Sequence, residues 1–202
     1  MPAYVKEFDT TDIRYNGSFL TGPMKDPETG DVLLDNFNTP VIHTIDITMK
    51  YEVDPDGWGK TEEGDGARCY KWHFESGLNS GMENDFHIFR LADVYLMKAE
   101  ALVRMGTDNT EATRLVNSVR SRAFDGNPAK LYSSVTLNDI YMERRFEFAW
   151  ESVTRQDQIR FGTFLDAIEG WKGVSNPKYL LFPIPQGAID SNDKLIQNPG
   201  YY

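Results

Sequence analysis

Residues 140–162, IYMERRFEFAWESVTRQDQIRFG, crowd arginine and glutamate among Phe, Trp and Ile. That mixture restricts what the chain can fold into, because charges interleaved with large apolar groups are tolerated only where they pair across packed layers. A helix start stands just upstream in Thr136-Leu137-Asn138-Asp139. There the Thr136 hydroxyl is suited to accept from the free backbone N–H groups of the first turn. Leu137, Ile140, Tyr141 and Phe148 recur at helical spacing, so one face looks inward. Glu143 and Glu147 stand four apart on that helix, with Arg144 and Arg145 beside them. A second helix resumes at Thr154 and carries Ile159, Phe161 and Leu165. We read the two as helices clamped into packed layers by a lattice of ion pairs.

Paired carboxylates also suggest catalysis. Glu143 and Glu147 would lie roughly 6 Å apart on one helix face, near the separation used by retaining glycosidases. Each has an arginine neighbour, which holds a carboxylate ionised and makes it a poor general acid. The clamp is the better reading. Neither a G-x-S-x-G motif, a phosphate-binding loop nor a dinucleotide fingerprint occurs, so no chemistry announces itself and no cofactor is called for.

A formal charge of −10 over 202 residues argues against nucleic acid and anionic lipid as partners. One cysteine, Cys69, permits no internal disulfide. His43, His73 and His87 have no ligand spacing to one another or to Cys and carboxylates, so no metal is expected from them. No apolar run approaches the ~18 residues of a membrane span, and the first residues lack the pattern of a signal peptide.

Residues 1–40 are rich in turn formers and read as a long ordered loop with a short helix near Thr10. Two β-like runs follow, VIHTIDITMKYEV at 41–53 and ARCYKWHFE at 67–75, placed to pair as a small hairpin. Between them, residues 54–66 hold four Gly, five acids and Trp58. A solvated hairpin tip, a calcium loop and a ligand platform built on Trp58 all suit that composition, although EF-hand order fails. From residue 86 the composition turns helical. FRLADVYLMKAEALVRMG is apolar nearly all round, so its helix should be buried on several sides, by residues 1–86 folded across it or by a second copy. Gly106 ends it, and the next helix shows Ala112, Leu115, Val116 and Val119 on one stripe. The short link makes an antiparallel hairpin of about the 34 residues of one tetratricopeptide unit. Residues 178–185 are extended by Pro183 and Pro185, a turn of helix occupies 186–191, and the tail with Leu195, Ile196 and Tyr201 should pack over the helices. The fold expected is mainly α: a tetratricopeptide-like helix pair plus further packed helices over residues 86–202. A loop-rich, β-containing segment over residues 1–85 precedes it.

Taken in order, FRLADVYLMKAEALVRMG, EATRLVNSVRSRAF, IYMERRFEFAWE, RQDQIRFG, LLFPIP and QNPGY resemble the C-terminal half of the SusD/RagB family. The resemblance covers residues 86–202, with Asp12-Ile13-Arg14 as its upstream trace. The chain departs from the family's pattern at Ser152, where Gly is usual, at Thr154, where Arg is common, and at Gln158, where Leu is common. The resemblance implies a non-enzymatic, lipid-anchored protein on the outer face of a Bacteroidetes outer membrane. Such a protein captures glycans and sits over a SusC-like TonB-dependent transporter. This chain would be its C-terminal part, without the anchor. A second reading is a helical protein–protein module that docks on a transporter and binds no glycan itself. No binding residue carries over from the family motifs. On physical grounds the candidates are Trp58, Tyr51 and Trp72, since pyranose C–H faces pack on indole and phenol rings. The alternative for Tyr51 and Trp72 is an ordinary place in the core.

Overall fold

The computed structural model of the protein describes residues 2–26, 28–45, 64–72, 82, 84–168 and 172–201. They form two compact units, Met1–Ser152 and Val153–Tyr202.

In the first unit the early residues are not a plain loop. Helix α1 (Pro2–Lys6) is followed by α2 (Ile13–Ser18), which starts where the Asp12 carboxylate accepts from the Arg14 backbone N–H at 2.9 Å. Val5, Phe8 and Phe19 are buried with Ala149. Their rings meet edge to face, Phe8 lying 5.2 Å from Phe19 and 4.7 Å from Phe146. Each such side chain contributes about 1.5–3 kcal/mol by burial, enough to hold two short helices that would not persist alone.

The two β-like runs do not pair with each other among the described residues. Strand β1 (Phe19–Leu20) pairs antiparallel with β4 (Arg68–Cys69), and β2 (Gly22–Pro23) with β3 (Ile42–His43). Residues 19–23 turn at Gly22, φ 85°, and so offer an edge to each run in turn. The runs still approach one another, since the Thr44 N–H donates to the Gly64 carbonyl at 2.9 Å.

Helix α3 (Leu91–Met105) ends at Gly106, whose left-handed backbone (φ 63°) returns its N–H to the Leu102 and Val103 carbonyls. Helix α4 (Asn109–Ala123) begins at Asp108, which accepts from the Glu111 N–H. The two pack along each other and against α5 (Leu137–Glu147), burying Leu96, Ala99, Leu115, Val116, Val119 and Ile140. A reciprocal cap starts α5: Thr136 Oγ1 accepts from the Asp139 N–H, and the Asp139 carboxylate accepts from the Thr136 N–H. Contrary to expectation, α3 is not buried on several sides. Its Leu91 (62% exposed), Val94, Met97 and Met105 remain open, so the described part of residues 1–86 does not fold across this face. The reason is geometric: α4 and α5 both lie against the side that carries Leu96 and Ala99.

The second unit contains α6 (Thr154–Arg160), a 3-10 turn at Pro177–Leu180 and α7 (Gln186–Ser191). Its tail does not bury Leu195 and Ile196, which stay exposed. It is tied instead to the proline-broken segment. The Gln197 amide accepts from Ile184 N–H and donates to Ile184 carbonyl, replacing a strand neighbour that the prolines preclude, and Asn198 donates to the Phe182 carbonyl.

Candidate functional site

Helix α5 and its continuation set Glu143, Glu147 and Glu151 in a row, and cations from distant parts of the chain converge on them. Arg14 Nη1 donates to Glu143 Oε1 at 2.7 Å and to Glu147 Oε2 at 3.1 Å. From α4, Arg120 donates to Glu143 Oε2 at 2.8 Å and Arg122 to Glu147 Oε1 at 2.5 Å. Arg90, at the start of α3, donates to Glu147 Oε1 and to both oxygens of Glu151. Lys71 pairs with Glu151, and its ammonium also donates to the Glu147 carbonyl. Arg144, itself buried, donates to Asp93 of α3 at 2.7 Å. Burial pushes the Glu147 and Glu151 carboxyls up, but the hydrogen bonds from their cations outweigh it, so both lie below the ordinary glutamate range. Burial also holds the Lys71 ammonium below the usual lysine value.

Glu143 is wholly buried, and both its oxygens accept from arginine. Glu147 is 2% exposed and similarly engaged. Neither offers an oxygen to a substrate. The arrangement is a clamp that joins α2, α3, α4 and α5, as expected for the first of the two Arg/Glu-rich helices.

At the solvent edge of this lattice stands an aromatic group. Trp72 stacks on Phe86 with ring centroids 4.8 Å apart and planes at 30°, and His87 lies 5.0 Å from Trp72. His87 Nε2 is 2.7 Å from Glu151 Oε2, which fixes the imidazole to the floor formed by Glu151, Arg90 and Lys71. Trp72 is half-buried, whereas Phe86 is 53% exposed and Tyr70 and Phe89 are exposed nearby in the chain. Trp72 is thus neither an ordinary core residue nor a lone surface ring. Flat apolar faces beside anchored charged groups are suited to hold a sugar ring, whose C–H face packs on an arene while its hydroxyls meet charged side chains.

Of the residues singled out from sequence, Trp72 is placed in this group, while Trp58 and Tyr51 lie outside the described residues, as do residues 54–63 of the proposed calcium loop. Phe86, His87 and Glu151 were not foreseen. Their only local signal is an aromatic-histidine pair at 86–87, because the charged floor is assembled from segments far apart in sequence. Among the described residues no group of His, Cys, Asp or Glu is placed to hold a metal ion, and no helix is long and apolar enough to cross a membrane.

Known proteins share this arrangement of chain. The starch-binding protein SusD of Bacteroides thetaiotaomicron is 35% identical over 127 residues, covering 59% of this chain and 22% of that protein. The SusD-like protein P38 of Formosa agariphila is 31% identical over 150 residues, 70% of this chain and 29% of that one. The chain therefore spans less than a third of the curated relatives it matches. Among solved structures, surface glycan-binding protein A from Bacteroides thetaiotaomicron, in complex with laminarihexaose, superposes with a TM-score of 0.62 at 24% identity. That match covers 96% of this chain and 39% of the other, and it speaks for the fold. The family model for the SusD family matches residues 3–176. With that match running through both the early helices and the Arg/Glu clamp, the chain belongs to the SusD family.

Proposed function

We propose that this chain is the C-terminal part of a cell-surface glycan-binding protein that passes oligosaccharide to a TonB-dependent outer-membrane transporter of the SusC type. It binds and performs no chemistry, and a lipid anchor of the whole protein holds it to the outer membrane. The observation that carries the reading is the Trp72–Phe86–His87 group at the exposed edge of the clamp. The starch-binding and laminarihexaose-bound relatives support a glycan as the ligand class. Affinity electrophoresis of this chain through gels containing a panel of polysaccharides tests it. Retardation by one polysaccharide, lost in Trp72→Ala and Phe86→Ala, is the expected result. Retardation untouched by both substitutions would remove the ring group from the site.

A second reading, a helical module that docks on the transporter without touching glycan, draws on the open apolar side of α3 at Leu91, Val94 and Met97. A chain that no polysaccharide retards, yet that co-purifies with its transporter, would favour this reading over the first.

A further inference from the structure

The second unit holds a pocket of about 360 Å³, built wholly from residues 155–201 and remote in sequence from Trp72. That volume lies within the range of small-ligand sites. Its lining contains Arg155, Gln158, Phe164, Lys172, Phe182 and Tyr201, and none of the described lining residues is acidic. In a chain with 31 acidic residues against 21 basic ones, two cations and no acid among the described lining residues is an unusual local charge.

Among the described residues the cations are held by carbonyls, a hydroxyl and aromatic rings and not by an acid. Arg155 Nη2 donates to the Tyr179 and Leu180 carbonyls, and the guanidinium lies 4.2 Å from the Phe182 ring and 4.9 Å from the Phe164 ring. Its Nε–H and Nη1–H groups have no partner among the described residues, so single N–H groups are left to donate on either side of the occupied Nη2. Lys172 spends its donors on the Phe164 and Asp166 carbonyls and the Ser175 hydroxyl, so it contributes field rather than a hydrogen bond. The acid nearest in sequence on α6, Asp157, is paired with Arg160 at 2.7 Å. The Gln158 amide carries no side-chain partner among the described residues. Phe182 is 70% exposed and Tyr179 49%, which leaves aromatic area at the mouth.

A stacked, immobilised guanidinium with free N–H groups suits a carboxylate, to which a charge-assisted N–H bond is short and strong. An amide beside it suits hydroxyls, and open aromatic area suits the C–H face of a saturated ring. We propose that this pocket is a second binding site, for a carboxylated sugar ring, with the carboxylate on Arg155, a hydroxyl on Gln158 and the ring face on Phe182. The choice of a sugar rests on the glycan reading above; the demand for a carboxylate rests on the pocket alone.

The test is an NMR titration of the whole chain, following backbone amides, with glucuronate, with glucose as the neutral ring and with acetate as the bare anion. Glucuronate should give saturable shifts among residues 155–201, with glucose and acetate each weaker by about tenfold or more. Arg155→Lys, which keeps the charge but loses the stacked plane and its fixed N–H directions, should lose about tenfold for glucuronate. Gln158→Leu, which leaves the carbonyl-bound arginine alone, should weaken glucuronate while leaving acetate unchanged. Absence of saturable glucuronate shifts, or equal affinity for glucose, would overturn the proposal; equal affinity for acetate would overturn its sugar component. Retardation by polysaccharide in the Gln158→Leu variant reports on the Trp72 group separately, so either reading can fail while the other stands.

Discussion

Arg14 and Glu143, 129 residues apart in the chain, meet at 2.7 Å with Glu143 fully buried. Through this contact the early helices and α5 become one packed body, because the same guanidinium also binds Asp12 at 2.7 Å and Glu147 at 3.1 Å. One arginine therefore joins three carboxylates from two segments. The lattice is not a surface decoration, whose pairs contribute little; its carboxylates are out of water and depend on their partners.

Glu143→Ala should accordingly be costly. It leaves Arg14 and Arg120 facing a void where both formerly donated. Breaking one side of a buried pair costs about 3–5 kcal/mol, which for a chain of this size lowers the melting temperature by roughly 6–20 °C. Glu143→Gln, which keeps an acceptor and the volume, should fall between. Thermal unfolding followed by circular dichroism measures both, and an unchanged Tm in Glu143→Ala would contradict the clamp.

The same lattice sets an acid limit. Burial raises the Glu147 and Glu151 carboxyls, yet the bonds from Arg90, with Arg122 on the first and Lys71 and His87 on the second, bring both below the ordinary value. The unfolded chain therefore takes up protons first as pH falls. The stabilisation from these groups is complete well above the ordinary carboxylate value of about 4.3 and is lost as pH drops through the lower folded values. Urea midpoints measured from neutral pH downward should fall steeply below that value. Glu151→Gln, already without its charge, should be less stable at neutral pH and show a shallower fall.

Helix ends were legible in the sequence because caps are local chemistry. Thr136 with Asp139 and Gly106 each declare a boundary within a turn of the residue concerned, and α6 and α7 begin where Thr154 and Gln186 were placed. The clamp was legible as a density of charge but not in its partners. Nothing near residues 143–151 indicates that Arg14, Lys71 and Arg90 supply the cations, since that follows from how segments pack. Among the described residues the strand pairing differs from the expected hairpin for a related reason. Two-residue strands carry almost no register signal, and the turn at Gly22 gave each run a different neighbour. Trp72 was marked by its residue type alone; Phe86 became its neighbour through the tertiary fold.

Gly64 should resist substitution. An added Cβ would stand 2.2 Å from the Ile42 carbonyl oxygen, a backbone atom with no side-chain freedom to yield. The clash falls beside the bond from Thr44 N–H to the Gly64 carbonyl and beside the β3 pairing with β2. Gly64→Ala should destabilise by about 1–3 kcal/mol, as overpacking does. Gly17, whose Cβ would meet nothing within 4 Å, is the control, and Gly17→Ala should be tolerated. Equal melting temperatures for the two variants would contradict the close approach.

Ser152 offers the opposite opportunity. It closes the first unit in a left-handed conformation, φ 62°, close to that of Gly106 at φ 63°. A residue with a Cβ gives up about 1–2 kcal/mol to sit there, whereas glycine does so freely but loses about 0.5–1 kcal/mol through its greater freedom in the unfolded chain. The serine side chain is exposed, so its removal forfeits no packing. The difference favours Ser152→Gly by up to about 1.5 kcal/mol, a rise in Tm of up to about 6 °C. Ser152→Val, branched at the Cβ that crowds the backbone, should move the other way. Differential scanning calorimetry of the three proteins distinguishes conformational strain from a general effect of the site. If valine were tolerated as well as serine and glycine brought no gain, the turn would not be strained, and the usual family glycine at this position would need another cause.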